Sequence, residues 1–86
     1  MVTEKVILTA PNGMHARPAT ELVKLAKSLD GKVTLATEVK SVNATSMLGI
    51  LSLGLKSGAQ IVVTADGGSE EANLNAVVDF IANITE

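Results

Sequence analysis

Residues 2–29, VTEKVILTAPNGMHARPATELVKLAKSL, decide the fold. Residues 2–9 are rich in β-branched and apolar side chains and predict a strand. Pro11-Asn12-Gly13 predicts a turn, because Pro presets φ while Asn and Gly tolerate positive φ. Ala19, Leu22, Val23, Ala26 and Leu29 then recur at helical spacing and line one face, with Glu21, Lys24 and Lys27 off it. Pro18 fits only a first turn, and the residue before a proline is biased away from helical geometry. The local rule therefore starts the helix at 18. Asp30-Gly31 is its expected end.

The rest of the chain extends this strand–turn–helix unit. Residues 32–37 alternate, with Val33 and Leu35 on one face, and residues 40–44 carry Val42 and Ala44. Two short strands are expected there. The turn between them at Glu38-Val39 lacks the Asn-Gly of a primed hairpin, so its type stays open. Ser46 is a good N-cap for a short helix over about 47–53, with Gly54 and Gly58 as stops. Residues 60–65 predict a fourth strand, and Asp66-Gly67-Gly68 a turn. Ser69 is the expected cap of a last helix. Glu70 and Glu71 fall in its favourable first turn, and Leu74, Val77, Val78, Ile81 and Ile84 form its buried stripe. The order β-α-β-β-α-β-α predicts an α+β two-layer fold with an antiparallel sheet, one domain over residues 1–86.

Composition narrows the function classes. Phe80 is the lone aromatic residue, so a core drawn from the 47% hydrophobic residues must be aliphatic. There is no Cys, which removes disulfides and thiolate chemistry. A net charge of −2 and the absence of Trp and Tyr argue against a nucleic-acid surface. The sequence MVTEKVILTA does not read as a signal peptide, and no apolar run predicts a membrane span. A cytoplasmic monomer is the expectation.

The one histidine and the one arginine stand two residues apart, His15 and Arg17, just ahead of a helix. A helix start offers outward N–H groups and partial positive charge, which suits an anion. Arg adds a planar fork of donors that fits phosphate. His adds a nitrogen nucleophile able to accept a phosphoryl group and hold it. Spacing alone leaves open a loop histidine beside a solvated charge. No carboxylate or thiol stands near, so no metal and no cofactor is expected. Residues 49–57 mimic a P-loop but carry an extra Leu55 and lack the strand-to-helix context. Met47, Leu48, Ile50, Leu51 and Leu53 exceed what a two-turn helix can bury on one face. They form either a docking patch or a helix buried all round. Ser46 reads as an ordinary cap, at a position where a phosphate would also be well placed.

Two stretches carry a family resemblance. Asn12-Gly13-Met14-His15-Ala16-Arg17-Pro18-Ala19 resembles the phosphohistidine signature of the HPr family, the histidine-containing phosphocarriers of the bacterial phosphoenolpyruvate:sugar phosphotransferase system. Lys40 to Gly54 resembles that family's serine-phosphorylation segment. The resemblance implies an open-faced β-sandwich, with four antiparallel strands in the order 1-4-2-3 and three helices on one side. It starts the first helix at about 16 rather than 18. It implies that His15 takes a phosphoryl group from phospho-enzyme I on Nδ1 and passes it to sugar-specific enzyme IIA proteins. Arg17 and the N–H groups of Ala16 and Arg17 would hold the phosphoryl oxygens. Thr20, Met47, Leu48 and Leu51 would form the partner surface. Ser46 would be the site of an ATP-dependent serine kinase/phosphorylase, working with a catabolite-control transcription factor. The protein would then be a stoichiometric carrier, not an enzyme. Two other classes remain as comparisons: a small acylphosphatase, whose Gly-x-Val-x-Gly-Val-x-Phe-Arg-type loop is missing here, and a purely regulatory module worked through Ser46.

Overall fold

The structure, a computed structural model, describes residues 1–84, so the last two residues of the expected 1–86 domain lie outside it. The chain runs β1 (Val2–Ile7), α1 (Ala16–Lys27), β2 (Lys32–Ala36), β3 (Ser41–Asn43), α2 (Met47–Ser52), β4 (Gln60–Asp66) and α3 (Glu70–Ala82). The four strands make one antiparallel sheet in the order β1-β4-β2-β3.

Alternation along the strands decides which face is covered. Val6, Val33, Leu35, Ile61, Val63 and Ala65 are buried, while Lys5, Thr34, Val62 and Thr64 between them keep solvent exposure. Side chains of period two must point to opposite faces, so the helices lie on one face and the other is open. The helices return their own stripes to that layer: Ala19, Leu22 and Ala26 from α1, Ile50 from α2, and Leu74, Val77, Val78 and Ile81 from α3. Leu8, Leu22, Leu35, Ile50, Ile61 and Ile81 are among the largest fully buried side chains. Each such side chain contributes about 1.5–3 kcal/mol relative to exposure. The core is aliphatic, and Phe80 only packs against its rim.

Several boundaries differ from expectation for local reasons. α1 begins at Ala16, as the family resemblance implies and not at 18 as the local rule has it. Pro18 is its third residue, where a backbone N–H has no helical carbonyl to meet, and its ring is buried. The local bias on Arg17 is outweighed by that packing. At the other end α1 stops at Lys27, with Ser28 as C-cap in right-handed geometry, so Asp30-Gly31 does not form the helix stop. α2 ends at Ser52, close to the expected 53, and Gly54 follows at φ 61°. The turn at Glu38-Val39 is closed by Thr37 N–H on Lys40 O at 2.9 Å, with Thr37 Oγ1 accepting from Val39 N at 3.2 Å. No non-glycine residue described has positive φ, so the turn is not of the type I′ kind.

Ser69 holds the N-cap position of α3 but makes no side-chain bond to its own helix. Asp30 reaches across from the end of α1 instead. Its carboxylate accepts from Ser69 N at 3.0 Å, Ser69 Oγ at 3.0 Å and the buried Asn73 Nδ2 at 2.9 Å.

Candidate functional site

The loop between β1 and α1 is fixed by backbone bonds at both sides. Leu8 N–H donates to Ala59 O at 2.9 Å, and Gly58 N–H donates to Leu8 O at 2.7 Å. Gly13 N–H closes a turn on Ala10 O at 3.0 Å, and Gly13 takes φ 69°. Met14 N–H then donates to Leu55 O at 3.0 Å, and its side chain enters the core.

This brings His15 to the N-cap of α1 in extended geometry, φ −101° and ψ −172°. The ring is half-buried and makes no side-chain cap bond. Its Nε2 is sealed from solvent and meets no hydrogen-bond partner. Nδ1 is therefore the ring nitrogen left accessible. Below it lies the first turn of α1, with Arg17 exposed on it and no acidic residue in it. The N–H groups of a first turn have no carbonyl one turn earlier. In α1 those belong to residues 16 and 17, since Pro18 has none to give. A short-range positive potential results, and the first turn itself holds no acidic residue.

The second sequence motif lies alongside. α1 and α2 pack together. Thr20 Oγ1 donates to Ala16 O at 2.7 Å and also reaches Met47 Sδ at 3.9 Å, joining the two helix starts. Ser46 is the N-cap of α2, and its Oγ accepts from Gly49 N at 3.0 Å. A Cβ on Gly49 would stand 3.0 Å from both Ser46 Oγ and Val42 Cβ, so a side chain there would press on the capping hydroxyl. Leu48 is 82% exposed and Leu51 38%, whereas Ile50 is fully buried. The helix is thus not buried all round, and an apolar patch remains on its outer side. Gly49 lies inside α2, which disposes of the P-loop pattern.

Sequence reasoning did not find the Leu55 carbonyl that seats Met14, because a backbone acceptor has no side-chain signature. It also missed Gly49, which only the Ser46 contact explains. Among the described residues no cluster of three or more His, Asp or Glu could hold a metal, and no helix is long and apolar enough to cross a membrane.

The geometry defines a class of protein: a small α+β fold that presents an imidazole at the N-cap of a helix whose first turn holds no acid. Comparison with known proteins gives the family. A family model described as the PTS HPr component phosphorylation site matches residues 2–83. A phosphocarrier protein HPr from Borreliella burgdorferi is 34% identical over 86 residues, spanning 100% of both chains. The crystal structure of HPr-C-His from Thermoanaerobacter tengcongensis superposes with a TM-score of 0.89 at 34% identity, covering 94% of this chain and 91% of that one. The phosphocarrier protein HPr from Bacillus anthracis gives 0.89 at 32% identity, with 93% and 95% covered. The chain belongs to the HPr family of phosphocarriers of the phosphotransferase system.

Proposed function

We propose that His15 is the phosphoryl acceptor and that Nδ1 is the atom that carries the group. The observation that carries this reading is the half-buried ring at the α1 N-cap, with Nε2 sealed and Nδ1 accessible. With its proton on Nε2, the neutral imidazole presents a lone pair on Nδ1. That pair forms the N–P bond as the bond from phosphorus to the donor breaks, and the breaking bond's electrons stay with the donor. Arg17 and the N–H groups at 16 and 17 then meet the phosphoryl oxygens, where developing charge is stabilised most. Onward transfer is the reverse step with a new acceptor, so the protein carries the group without consuming it.

The donor in this reading is phospho-enzyme I, and the acceptors are sugar-specific enzyme IIA proteins, met in the cytoplasm by a monomer. Thr20, Met47, Leu48 and Leu51 form the docking surface, supported by the exposure of Leu48 and Leu51 beside the α1 start. Ser46 is a regulatory site for an ATP-dependent kinase, with a catabolite-control transcription factor as a further partner. A phosphate there adds about −1.5 to −2 charges at a helix N-terminus, on the rim of the docking patch. It would hinder an acidic partner more than it would disturb the fold.

Incubation with labelled phosphoenolpyruvate and enzyme I tests the reading. A carrier gains an acid-labile, base-stable label that vanishes in His15→Ala. A phosphatase accumulates none, and a module worked only through Ser46 takes acid-stable label from ATP and a kinase. Label surviving in His15→Ala overturns the assignment.

A further inference from the structure

We propose that Gly13 is a positioning residue for phosphoryl acceptance, setting the place of His15 through the Leu55 carbonyl. The proposal rests on the reading of His15 as acceptor. The imidazole has no polar tether of its own: Nε2 meets no partner and the side chain makes no cap bond. Its place above the first turn of α1 is therefore set by the backbone that delivers it. Two residues earlier, that backbone lies directly on the chain between α2 and β4. A Cβ on Gly13 would collide with Leu55 O and stand 3.0 Å from Lys56 Cα. Both are main-chain atoms, so neither can swing aside as a side chain would. The same Leu55 carbonyl accepts the Met14 N–H at 3.0 Å. Leu55 O is thus both the floor under Gly13 and the anchor for Met14, the residue that precedes the imidazole. Gly13 also holds φ 69°, which L side chains rarely adopt. Any side chain at 13 must lift the loop from its seat and strain the Met14–His15 backbone against the first turn of α1, to which His15 O is held by the Ala19 N–H at 3.0 Å. A misplacement near 1 Å at a reacting group costs up to about 100-fold in rate.

The effect belongs in the transfer step, because Gly13 is buried and offers partners no side chain. Gly13→Ala combines the collision with the φ penalty, whereas Gly13→Asn keeps the collision in a residue that tolerates positive φ. Gly67→Ala controls for the φ penalty alone: Gly67 has φ 85° and open space around its added Cβ. A fourth protein, made by chemical synthesis with an ester in place of the Met14 amide, removes the bond to Leu55 O without adding an atom.

The experiment measures kcat and KM for phosphorylation by enzyme I and phosphoenolpyruvate, with circular dichroism and, except in the ester protein, hydrogen exchange of the Met14 amide. Gly13→Ala and Gly13→Asn are expected to lose Met14 protection and to lower kcat about 10–100-fold, with KM changed less than about twofold. Gly67→Ala should match wild type in kcat. The ester protein should lower kcat in the same direction while remaining folded, which keeps the test decisive if the Gly13 variants fail to fold. Wild-type kcat in the folded ester protein, or in a folded Gly13 variant that has lost Met14 protection, overturns the proposal. So does a loss confined to KM. His15→Ala run alongside separates the two readings: label on it sinks the acceptor assignment, whereas its absence with normal kcat in the Gly13 variants sinks only the positioning role.

Discussion

At the start of α1 the N-cap residue makes no side-chain bond and the first turn holds no acid, whereas the start of α3 is crowded with carboxylates. There Asp30 satisfies Ser69 N–H and Asn73, and Glu70 accepts from Gly67 N at 2.7 Å and from the N-terminal ammonium at 2.9 Å. The two termini are joined by α1 itself, whose 12 residues span about 18 Å. Both helix starts present the same partial positive charge. One receives an anion from its own chain and becomes part of the scaffold; the other has no acid in its first turn, which suits the transient anion of the proposed function. α2 is an intermediate case in charge, capped by the neutral Ser46 hydroxyl, which phosphorylation would convert into a charged group.

The titratable groups at the filled terminus follow from this. The Asn73 amide, then the Ser69 N–H and hydroxyl, hold the Asp30 carboxyl below its ordinary pKa. The Gly67 N–H, then the N-terminal ammonium, do the same for Glu70, and Glu70 raises the pKa of that amino group.

The largest break in the comparison comes from removing the cation at the open terminus. Arg17→Ala should slow phosphoryl transfer about 10–100-fold, less than the ~2.7–4 kcal/mol lost with an enclosed oxyanion donor, because this site faces solvent. Arg17→Lys should restore only part, since a point charge lacks the two-pronged fit. Rapid-quench labelling measures both, and wild-type behaviour of Arg17→Lys would sink bidentate recognition.

Filling the open terminus is the next test. Ala16→Asp places a carboxylate in the first turn of α1, making it resemble α3. Stability should rise by about 0.3–1 kcal/mol, while labelling slows on the order of tenfold through like-charge repulsion that salt relieves. Opposite signs in denaturant melts and labelling rates are the signature. A gain in both would mean that the open terminus does not hold the anion.

Emptying the filled terminus should do the reverse. Asp30→Asn should lower the melting temperature and leave labelling kinetics unchanged. Because Asp30 has a lower pKa folded than unfolded, its contribution is full above the ordinary carboxylate value, about 3.9. It fades as pH falls through the depressed folded value. The variant's melting temperature should therefore approach wild type in strong acid, where a persistent gap would contradict the carboxylate's role.

The smallest effect belongs to the intermediate case. Ser46→Ala removes one cap bond and should cost about 1 kcal/mol in urea melts, with little change in labelling. Ser46→Asp retains a cap acceptor, so it should recover most of that stability while slowing labelling at low salt. Equal labelling by the two variants at low salt would leave only a steric account of phosphoserine.

These contrasts were unevenly visible in the sequence. Ala19, Leu22 and Ala26 of the α1 stripe, Leu74, Val77, Val78 and Ile81 of the α3 stripe, and Val33 and Leu35 are buried as periodicity implies, whereas Val23 and Leu29 on the α1 face are only partly covered. His15, Arg17 and Ser46 were legible as candidates because each sits where a turn or cap residue opens a helix. Asp30 was misread as part of a helix stop: its partners stand 39 and 43 residues away, beyond any local rule. The local rule misplaced the start of α1 at 18 for the same reason, because burial of Pro18 is a tertiary fact, whereas the family resemblance put it at about 16, where it lies. Leu55 left no trace, since its contribution is a carbonyl that every residue possesses.

The strand order also bears on how the site comes into being. β1, the first strand made, pairs with β4, so Val2 meets Ala65 and Ile7 meets Gln60. The loop that holds His15 is tied down by Ala59, Gly58 and Leu55. Loop closure over such separations makes folding slower than in a protein of local contacts. No early fragment of the chain can assemble the His15 environment. A nascent chain leaving the ribosome carries the imidazole from the beginning but no seat for it until β4 has emerged. On the proposed reading of His15 as acceptor, synthesis thus withholds that residue from its donor until the whole sheet exists to support it.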